Sequence, residues 1–570
     1  MTTNTQTQKM PLPDTGLKRQ IGFIGLMWAS AGSIIGSGWL YGAQKGLAAA
    51  GPAVIWSWII GAIAILILAL VHAELGGMYP IAGGTARFPH LAFGGIAGGA
   101  FGWFSWLQAV TVAPIEVMAM LGYWQSLAQT EHWSFGAHLQ VTDPQTKLET
   151  LTATGVISAL IIMAIFTAIN FLSIRALART NSAATWWKIG VPVLAIFVLA
   201  IINFHGSNFS AGESFAPGGL KGVLSALPTA GIVFALLGFE QADQLAGESA
   251  NPKRDIPRAV IGSVLIGLVI YLALQVVFIA SIPGDHLLGT WAKTAAQYAS
   301  GPFALLATAV GVGWLAVVLY VDAVISPGGT GLIYFTATSR VSYGLSKNGY
   351  FPRLFQSVNK RGVPWFGLII AWVFGCVCFL PFPSWQQLVS LITSASVLMY
   401  AGAPLAFGAF RKRIPLADRP FRLPGGAILA PIAFVVANWI ILWTGWITDY
   451  KLGICILIGL AIIVVTRVFK LNPTPVHFNW KSAQWLFPYL IGLGLIVFLS
   501  DWNQDANGTI AGPDWLPFGW DMAVTAAFSL IIYFWAVNTS VDTDGILLMA
   551  EETAAHAEQE SAELGEPIAG

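Results

Sequence analysis

Three ionisable side chains lie inside long apolar segments of this chain. Lys188 lies in "NSAATWWKIG", Glu116 lies in "TVAPIEVMAML", and Glu240 follows Gly-Phe in "ALLGFEQADQ". A charged group at membrane depth is costly and usually marks a substrate or proton pathway. The sequence therefore predicts that these groups handle a charged solute or a proton.

Each of the three residues also has a structural interpretation. Lys188 lies about three turns from Arg175 and Arg179, so its ammonium could extend to the end of the span. Glu116 could be a hydrogen-bonding partner for nearby backbone, and Glu240 could cap backbone that leaves a helix. These alternatives stay open from the sequence alone.

The stretch "SAGSIIGSGWLY", residues 30–41, places three glycines and three serines inside an apolar segment. Each glycine lowers helix stability by about 1 kcal/mol relative to alanine. Irregular backbone cannot face lipid, so it survives only beside a cavity or a solute. A helix that restarts after Gly36 would present free N–H groups to a carboxylate. The alternative is that the glycines only allow close helix packing.

Composition places these residues in a polytopic membrane protein. Of 570 residues, 56% are hydrophobic and only 10% are charged, whereas soluble domains carry about 25% charged residues. A requirement of about 20 apolar residues per span predicts about fourteen transmembrane helices. Their centres lie near residues 35, 64, 110, 162, 193, 233, 269, 325, 373, 398, 437, 460, 491 and 528. The eighth segment, roughly 303–345, is too long for one upright span, so we expect it to tilt or to extend into the cytoplasm.

Most of the 28 lysines and arginines fall on alternate connecting segments, which we assign to the cytoplasm. Both termini are then cytoplasmic. Residues 1–19 form a polar segment, and the acidic tail 541–570 is predicted to be disordered. A net charge of +1 without a basic run argues against a nucleic-acid partner.

The sixth segment is interrupted like the first. In "AGIVFALLGFEQADQLAGESANP", Gly238 is followed by an acidic, amide-rich run. Paired interruptions five helices apart indicate a transporter built from inverted repeats, here residues 20–203 and 219–410 of a ten-helix core at 20–410. Peripheral helices 11–14 would occupy residues 411–540. Free N–H groups on the first segment and carbonyls on the sixth would suit an amino-acid zwitterion.

Five motifs in order resemble the amino acid–polyamine–organocation (APC) permeases over roughly residues 18–470. They are "GSIIGSG", "AELGGMYPIAGGTARF", "FALLGFEQADQLAGESANPKRDIPRA", "SRVSYGLSKNGYFPRLF" and "RPFRLPGG". The resemblance implies an all-α fold with an inverted five-helix repeat and broken helices 1 and 6. The chain length and its last two spans resemble the bacterial aspartate–proton symporter branch. That branch implies a multi-pass protein of the bacterial inner membrane and an acidic substrate such as aspartate or glutamate.

The resemblance also assigns expected roles to individual residues. Ser37 matches a serine that binds the substrate carboxylate in the family's arginine–agmatine antiporter. Phe234 matches its gating aromatic, and Tyr334 matches an aromatic that packs on substrate, although either ring could simply pack between helices. The expected substrate-binding residues are Ser33, Ile34, Gly36, Ser37, Gly38, Glu116, Phe234, Leu237, Gly238 and Tyr334.

For the proton, the resemblance points to Lys188, because some family members have a lysine on this span in place of a sodium ion. Glu116 aligns with a position that touches the substrate side chain. It could bind a cationic group or a proton, and a fixed carboxylate there would repel aspartate unless protonated. Glu240 matches a residue on the path towards the cytoplasm and is a gating candidate with Phe234.

These features favour a secondary transporter that takes up an amino acid with a proton by alternating access. The alternative is an exchanger of an amino acid for an amine or for another amino acid. Three other classes are disfavoured. The sequence has no repeated filter motif of an ion channel, no catalytic cluster of a membrane enzyme and no phosphate-binding loop of an ATP-driven pump. We expect no cofactor and no metal. The expected partners are an amino acid, protons and the lipid bilayer, and the oligomeric state stays open.

Overall fold

The computed structural model describes residues 21–80, 84–144, 148–172, 174–245, 249–359, 361–380, 382–474, 476, 478–502 and 512–563. The predicted N-terminal segment 1–19 lies outside them. Within the described residues, eleven helical stretches are long and apolar enough to cross a membrane. The chain is therefore an all-α polytopic membrane protein, whereas the count of fourteen spans and the inverted repeat stay predictions.

In chain order, the α-helices of the described residues divide by position among the two predicted repeats and the segment that follows them. The first predicted repeat contains α1 (Phe23–Ile34), α2 (Ser37–Ala50), α3 (Val54–Met78), α4 (Gly84–Phe93), α5 (Gly95–Thr130), α6 (Ala153–Leu172) and α7 (Ile174–Ile202). The second contains α8 (Gly219–Thr229), α9 (Ile232–Leu236), α10 (Gln241–Gln244), α11 (Pro252–Ala280), α12 (Trp291–Ala296), α13 (Pro302–Ala309), α14 (Gly313–Lys347), α15 (Trp365–Cys378), α16 (Trp385–Tyr400) and α17 (Gly402–Arg413). The remaining helices are α18 (Gly426–Thr444), α19 (Trp446–Val468), α20 (Trp480–Ala483), α21 (Leu486–Leu499), α22 (Trp520–Thr539) and α23 (Thr543–Glu563).

A short β-hairpin connects α5 to α6. Its strands β1 (Gln140–Thr142) and β2 (Glu149–Leu151) pair antiparallel, with Val141 opposite Thr150. Within the helical bundle, α5 packs against α14 and α3 packs against α11. Each pair joins helices that occupy corresponding positions in the two predicted repeats, and the repeat itself stays a prediction.

Both predicted helix breaks are present. Ile35 and Gly36 separate α1 from α2, and Gly36 adopts φ −121° and ψ −141°, outside the helical region. The sixth segment is interrupted between α9 and α10, where Gly238 has a φ of +120°. This backbone conformation is accessible to glycine and strained for other residues, which explains why the second break lies at Gly238.

The structure corrects two expectations. The long eighth segment is two helices, because Gly311, with a φ of +79°, separates α13 from α14. The predicted disorder of 541–570 is wrong for 543–563, which form α23. This part of the tail is rich in alanine and glutamate, which favour helix, and it buries Ile546 and Ala550. The Tyr79 hydroxyl donates to the Ala550 carbonyl at 3.2 Å.

A buried ionic cluster joins α3 to the segment after α17. The Glu74 carboxylate is 1% exposed and accepts from Arg411 Nη2 at 2.6 Å. Arg419 Nε lies 3.3 Å from its other oxygen, and the Leu423 N–H donates to Glu74 at 2.7 Å. Glu74 thus fixes the position of this segment, as expected for a structural charge at the end of a span.

Replacing Glu74 with alanine should destabilise the protein by about 3–5 kcal/mol, because two arginines then lose their buried partner. Unfolding in detergent, followed by circular dichroism, measures this change. The matched control is Lys253→Ala, which breaks a 2.6 Å pair with Asp418 whose side chains are both 56% exposed. Exposed pairs contribute about 0–1 kcal/mol, so equal effects of the two substitutions would contradict the structural role of Glu74.

Candidate functional site

A small cavity lies between the two helix breaks, near the centre of the bundle. It has room for about one water molecule, so the surrounding helices are closed in this conformation. The residues that line it are Ser33, Ile34, Gly36, Gln108, Val112, Glu116, Phe234, Leu237, Thr330, Tyr334 and Ile392. Seven of the ten residues predicted to bind substrate are among them.

The other three predicted residues, Ser37, Gly38 and Gly238, lie directly behind this lining. A Cβ atom on Gly238 would be 2.9 Å from the Ile34 nitrogen, and one on Gly38 would be 2.7 Å from Ala235 Cβ. The two broken helices therefore contact each other through their glycines. This close approach explains the glycines and brings irregular backbone from both helices to one cavity.

The Glu116 side chain extends from α5 to the start of α2, the helix that follows the first break. Its Oε2 accepts a hydrogen bond from the Ser37 backbone N–H at 2.9 Å, and the residue is 0% exposed. Its Oε1 has no hydrogen-bond partner, and it would lie 2.6 Å from a Cβ atom on Gly36. The helix N-terminus that was predicted to receive a substrate carboxylate is thus bound to a carboxylate of the protein itself.

The Lys188 ammonium connects the first broken helix to α14. Nζ donates to the Gly32 carbonyl at 3.0 Å and to Thr330 Oγ1 at 2.6 Å. Lys188 is only 1% exposed, so the ammonium does not extend to the surface. Thr330 also lines the cavity beside Glu116, which places the lysine one hydroxyl group away from the site.

Glu240 lies beneath one wall of the cavity and has all its acceptor positions occupied. Oε1 accepts from Gln108 Nε2 and from the Tyr334 hydroxyl, both at 3.2 Å. Oε2 accepts from the Gly238 N–H at 2.9 Å and from the Tyr400 hydroxyl at 2.5 Å. This carboxylate caps the unwound backbone and also joins four helical segments below the cavity.

Trp385 packs against Phe234 of the cavity lining and itself lines a second cavity together with Tyr41 and Lys45. Its indole N–H donates to Ser37 Oγ at 3.2 Å, so the hydroxyl predicted to bind substrate has a protein partner here. The indole ring lies 6.1 Å from the Phe234 ring and 5.1 Å from the Tyr41 ring, measured between centroids. These three aromatic residues form a continuous layer that reaches the cavity at Phe234.

Sequence reasoning missed Gln108, Thr330, Trp385 and Tyr400. Helical spacing could have found two of them, because Gln108 lies two turns before Glu116 and Thr330 lies one turn before Tyr334. Trp385 and Tyr400 carry no such signal, since their partners come from helices distant in sequence.

Comparison with known proteins matches residues 21–448 to the family described as "Amino acid permease". A glutamate/serine transporter of Bacillus subtilis is 36% identical over 93% of this chain and 95% of its own length. An aspartate-proton symporter of the same organism is 32% identical over 92% of this chain and 97% of its own. A branched-chain amino acid permease of that organism is 27% identical over 79% of this chain and 93% of its own.

Proposed function

Because this chain belongs to the amino acid permease family, we propose that it carries an acidic amino acid together with protons across the bacterial plasma membrane. Two relatives match almost the whole chain. One is named as a glutamate/serine transporter, and the other is named as an aspartate-proton symporter. Alternating access around the cavity between the broken helices would move the substrate. Both termini would lie in the cytoplasm.

The observation that carries this proposal is the contact of Glu116 with the Ser37 N–H at 2.9 Å. A substrate carboxylate that binds at the start of α2 would use the same N–H and would then displace Glu116. Two carboxylates in one buried site are not both stable as anions, and a proton on one of them removes the repulsion. Binding of an acidic substrate would therefore be accompanied by uptake of a proton on Glu116.

Lys188 supplies the second part of the proposed coupling. As an ammonium it holds the Gly32 carbonyl of α1 and the Thr330 hydroxyl of α14 together. A neutral amine has one donor fewer and no charge, so both contacts weaken when the proton leaves. The protonation state of Lys188 would then determine whether α1 stays packed against α14.

The two walls of the cavity would act as gates. We assign the layer of Trp385, Phe234 and Tyr41 to the outer side. Trp385 begins α16, which is followed by α17 and its basic last turn. Basic span ends are assigned to the cytoplasm, so Trp385 would lie at the opposite, outer end. The Glu240 cluster would close the cytoplasmic side. Opening towards the cytoplasm would require the hydrogen bonds of Gln108 and Tyr400 to Glu240 to break.

Uptake by purified protein in lipid vesicles tests the function. With an acidic exterior and an alkaline interior, we expect labelled glutamate or aspartate to accumulate above its external concentration. A protonophore should abolish this accumulation, and unlabelled aspartate should compete where arginine does not. Transport that requires an amino acid or amine inside the vesicles would indicate the exchanger instead. Failure of every amino acid to compete would refute the proposal.

A further inference from the structure

Asp322 is a buried carboxyl group that the cavity does not use. It lies on α14, is 0% exposed, and accepts a hydrogen bond from Ser326 Oγ at 2.6 Å through Oδ1. Its Oδ2 is buried without a well-formed hydrogen bond, although the indoles of Trp39 and Trp187 lie beside the carboxyl group. A buried carboxylate with one oxygen unsatisfied is costly, so a proton on that oxygen would stabilise the group.

Asp322 begins a row of polar side chains that ends at Lys188. Asp322, Ser326 and Thr330 are spaced four residues apart, which places them along one side of α14. All three are at most 2% exposed. Ser326 donates to Asp322 at one end, and Thr330 accepts from Lys188 at the other. Each interval rises about 6 Å along the helix, so the row spans about two turns of otherwise apolar interior.

The charges around this row favour an exchangeable proton. Lys188 is within electrostatic range of both Glu116 and Asp322, and two carboxylates with one ammonium leave a net negative charge. The titratable groups from the helices packed nearby are Lys188 on α7 and Glu116 and Tyr123 on α5, with the indoles of Trp39 and Trp187 beside Asp322. On α2, Lys45 lines a separate cavity with Glu149. The helices α6, α13 and α15 contain no Asp, Glu, Lys or Arg, and the other charges of α14 lie towards its far end, at Arg340 and Lys347.

We propose that Asp322 is a second proton-binding site, which receives a proton from the outer side and delivers it to Lys188 along Ser326 and Thr330. The proposal rests on the proposed function, since the outer side is assigned there. In this transfer the proton leaves the Asp322 carboxyl group and ends on the Lys188 amine, which yields a carboxylate and an ammonium. Asp322 is a proton carrier for the coupling step, and it does not touch the substrate.

The test compares Asp322→Asn with wild type in lipid vesicles. Asparagine resembles the protonated carboxyl in shape but cannot release a proton. We expect accumulation under a pH gradient to fall at least tenfold. Exchange of external for internal substrate, which needs no net proton movement, should continue. Asp322→Glu should restore part of the accumulation, with a changed dependence on external pH.

The matched control is Asp449→Asn on α19. Asp449 also accepts from a serine, Ser394, at 2.9 Å and also has one buried oxygen without a partner, but it is not in the row. Its variant should accumulate substrate as wild type does. Normal accumulation by Asp322→Asn would overturn the proposal, and so would loss of exchange together with accumulation, since Asp322 would then only support the site. If the wild-type protein itself does not accumulate substrate, the result refutes the proposed function, and not only the role of Asp322.

Discussion

Replacing Lys188 with glutamine is expected to abolish substrate accumulation under a pH gradient. The ammonium makes two buried hydrogen bonds, to Gly32 and Thr330, and bonds from a charged group contribute about 1.5–3 kcal/mol each. Loss of about 3 kcal/mol weakens the contact between α1 and α14 by about 100-fold in its equilibrium constant. Glutamine also cannot carry a proton, so net coupling should disappear even if substrate still binds. Uptake into vesicles with and without a protonophore measures the effect.

Lys221→Gln is the matched control for this substitution. Lys221 pairs with Asp501 at 2.7 Å, but its side chain is 36% exposed and lies outside the cavity lining. Its replacement should leave accumulation within about twofold of wild type, because exposed pairs contribute little. A Lys188→Gln variant that accumulates substrate as well as Lys221→Gln does would remove Lys188 from the coupling mechanism.

Replacing Gly238 with alanine is expected to weaken substrate binding, which is the second large effect that we predict. A φ of +120° is strained for alanine, and the new Cβ would lie 2.9 Å from the Ile34 nitrogen and 3.0 Å from the Ser33 carbonyl carbon. Backbone must move to relieve this contact, and it is the backbone that lines the cavity. We expect affinity for the substrate to fall at least about tenfold, or about 1.4 kcal/mol, by isothermal titration in detergent.

Gly219→Ala separates backbone strain from contact. Gly219 also has a positive φ, +54°, but a Cβ atom there would meet nothing within 4 Å. This variant should show a small loss of stability, of about 1–2 kcal/mol, and normal affinity. Equal affinity of the Gly238 and Gly219 variants would show that close contact of the two breaks is not needed for binding.

The sequence was sufficient for the membrane class, for both helix breaks and for most of the cavity. Gly36 and Gly238 were predictable because glycine and polar residues inside apolar segments conflict with regular helix. Glu116 and Lys188 were predictable because charge at membrane depth is rare. Tyr400 was not, since a single hydroxyl group in a helix is common and its partner Glu240 is far away in sequence.

The partner of Glu116 could not be predicted either. The N–H groups at the start of α2 were expected to be free to bind a substrate carboxylate. In the closed conformation, Glu116 accepts a hydrogen bond from the Ser37 N–H. This contact joins α5 to the break in the first helix, and only the tertiary structure brings them together. The same contact suggests how an acidic substrate and a proton could be coupled. A Glu116 carboxylate would repel the substrate, and its displacement from the Ser37 N–H favours its protonation.

The most direct test of proton-coupled uptake is to measure protons and substrate in the same vesicles. Vesicles that contain the purified protein and a pH-sensitive dye start with equal pH on both sides and receive external aspartate or glutamate. We predict that the interior becomes acidic as labelled substrate enters, and that both signals disappear in Lys188→Gln. Substrate entry without internal acidification, at the same rate in both proteins, would contradict proton-coupled transport by this site.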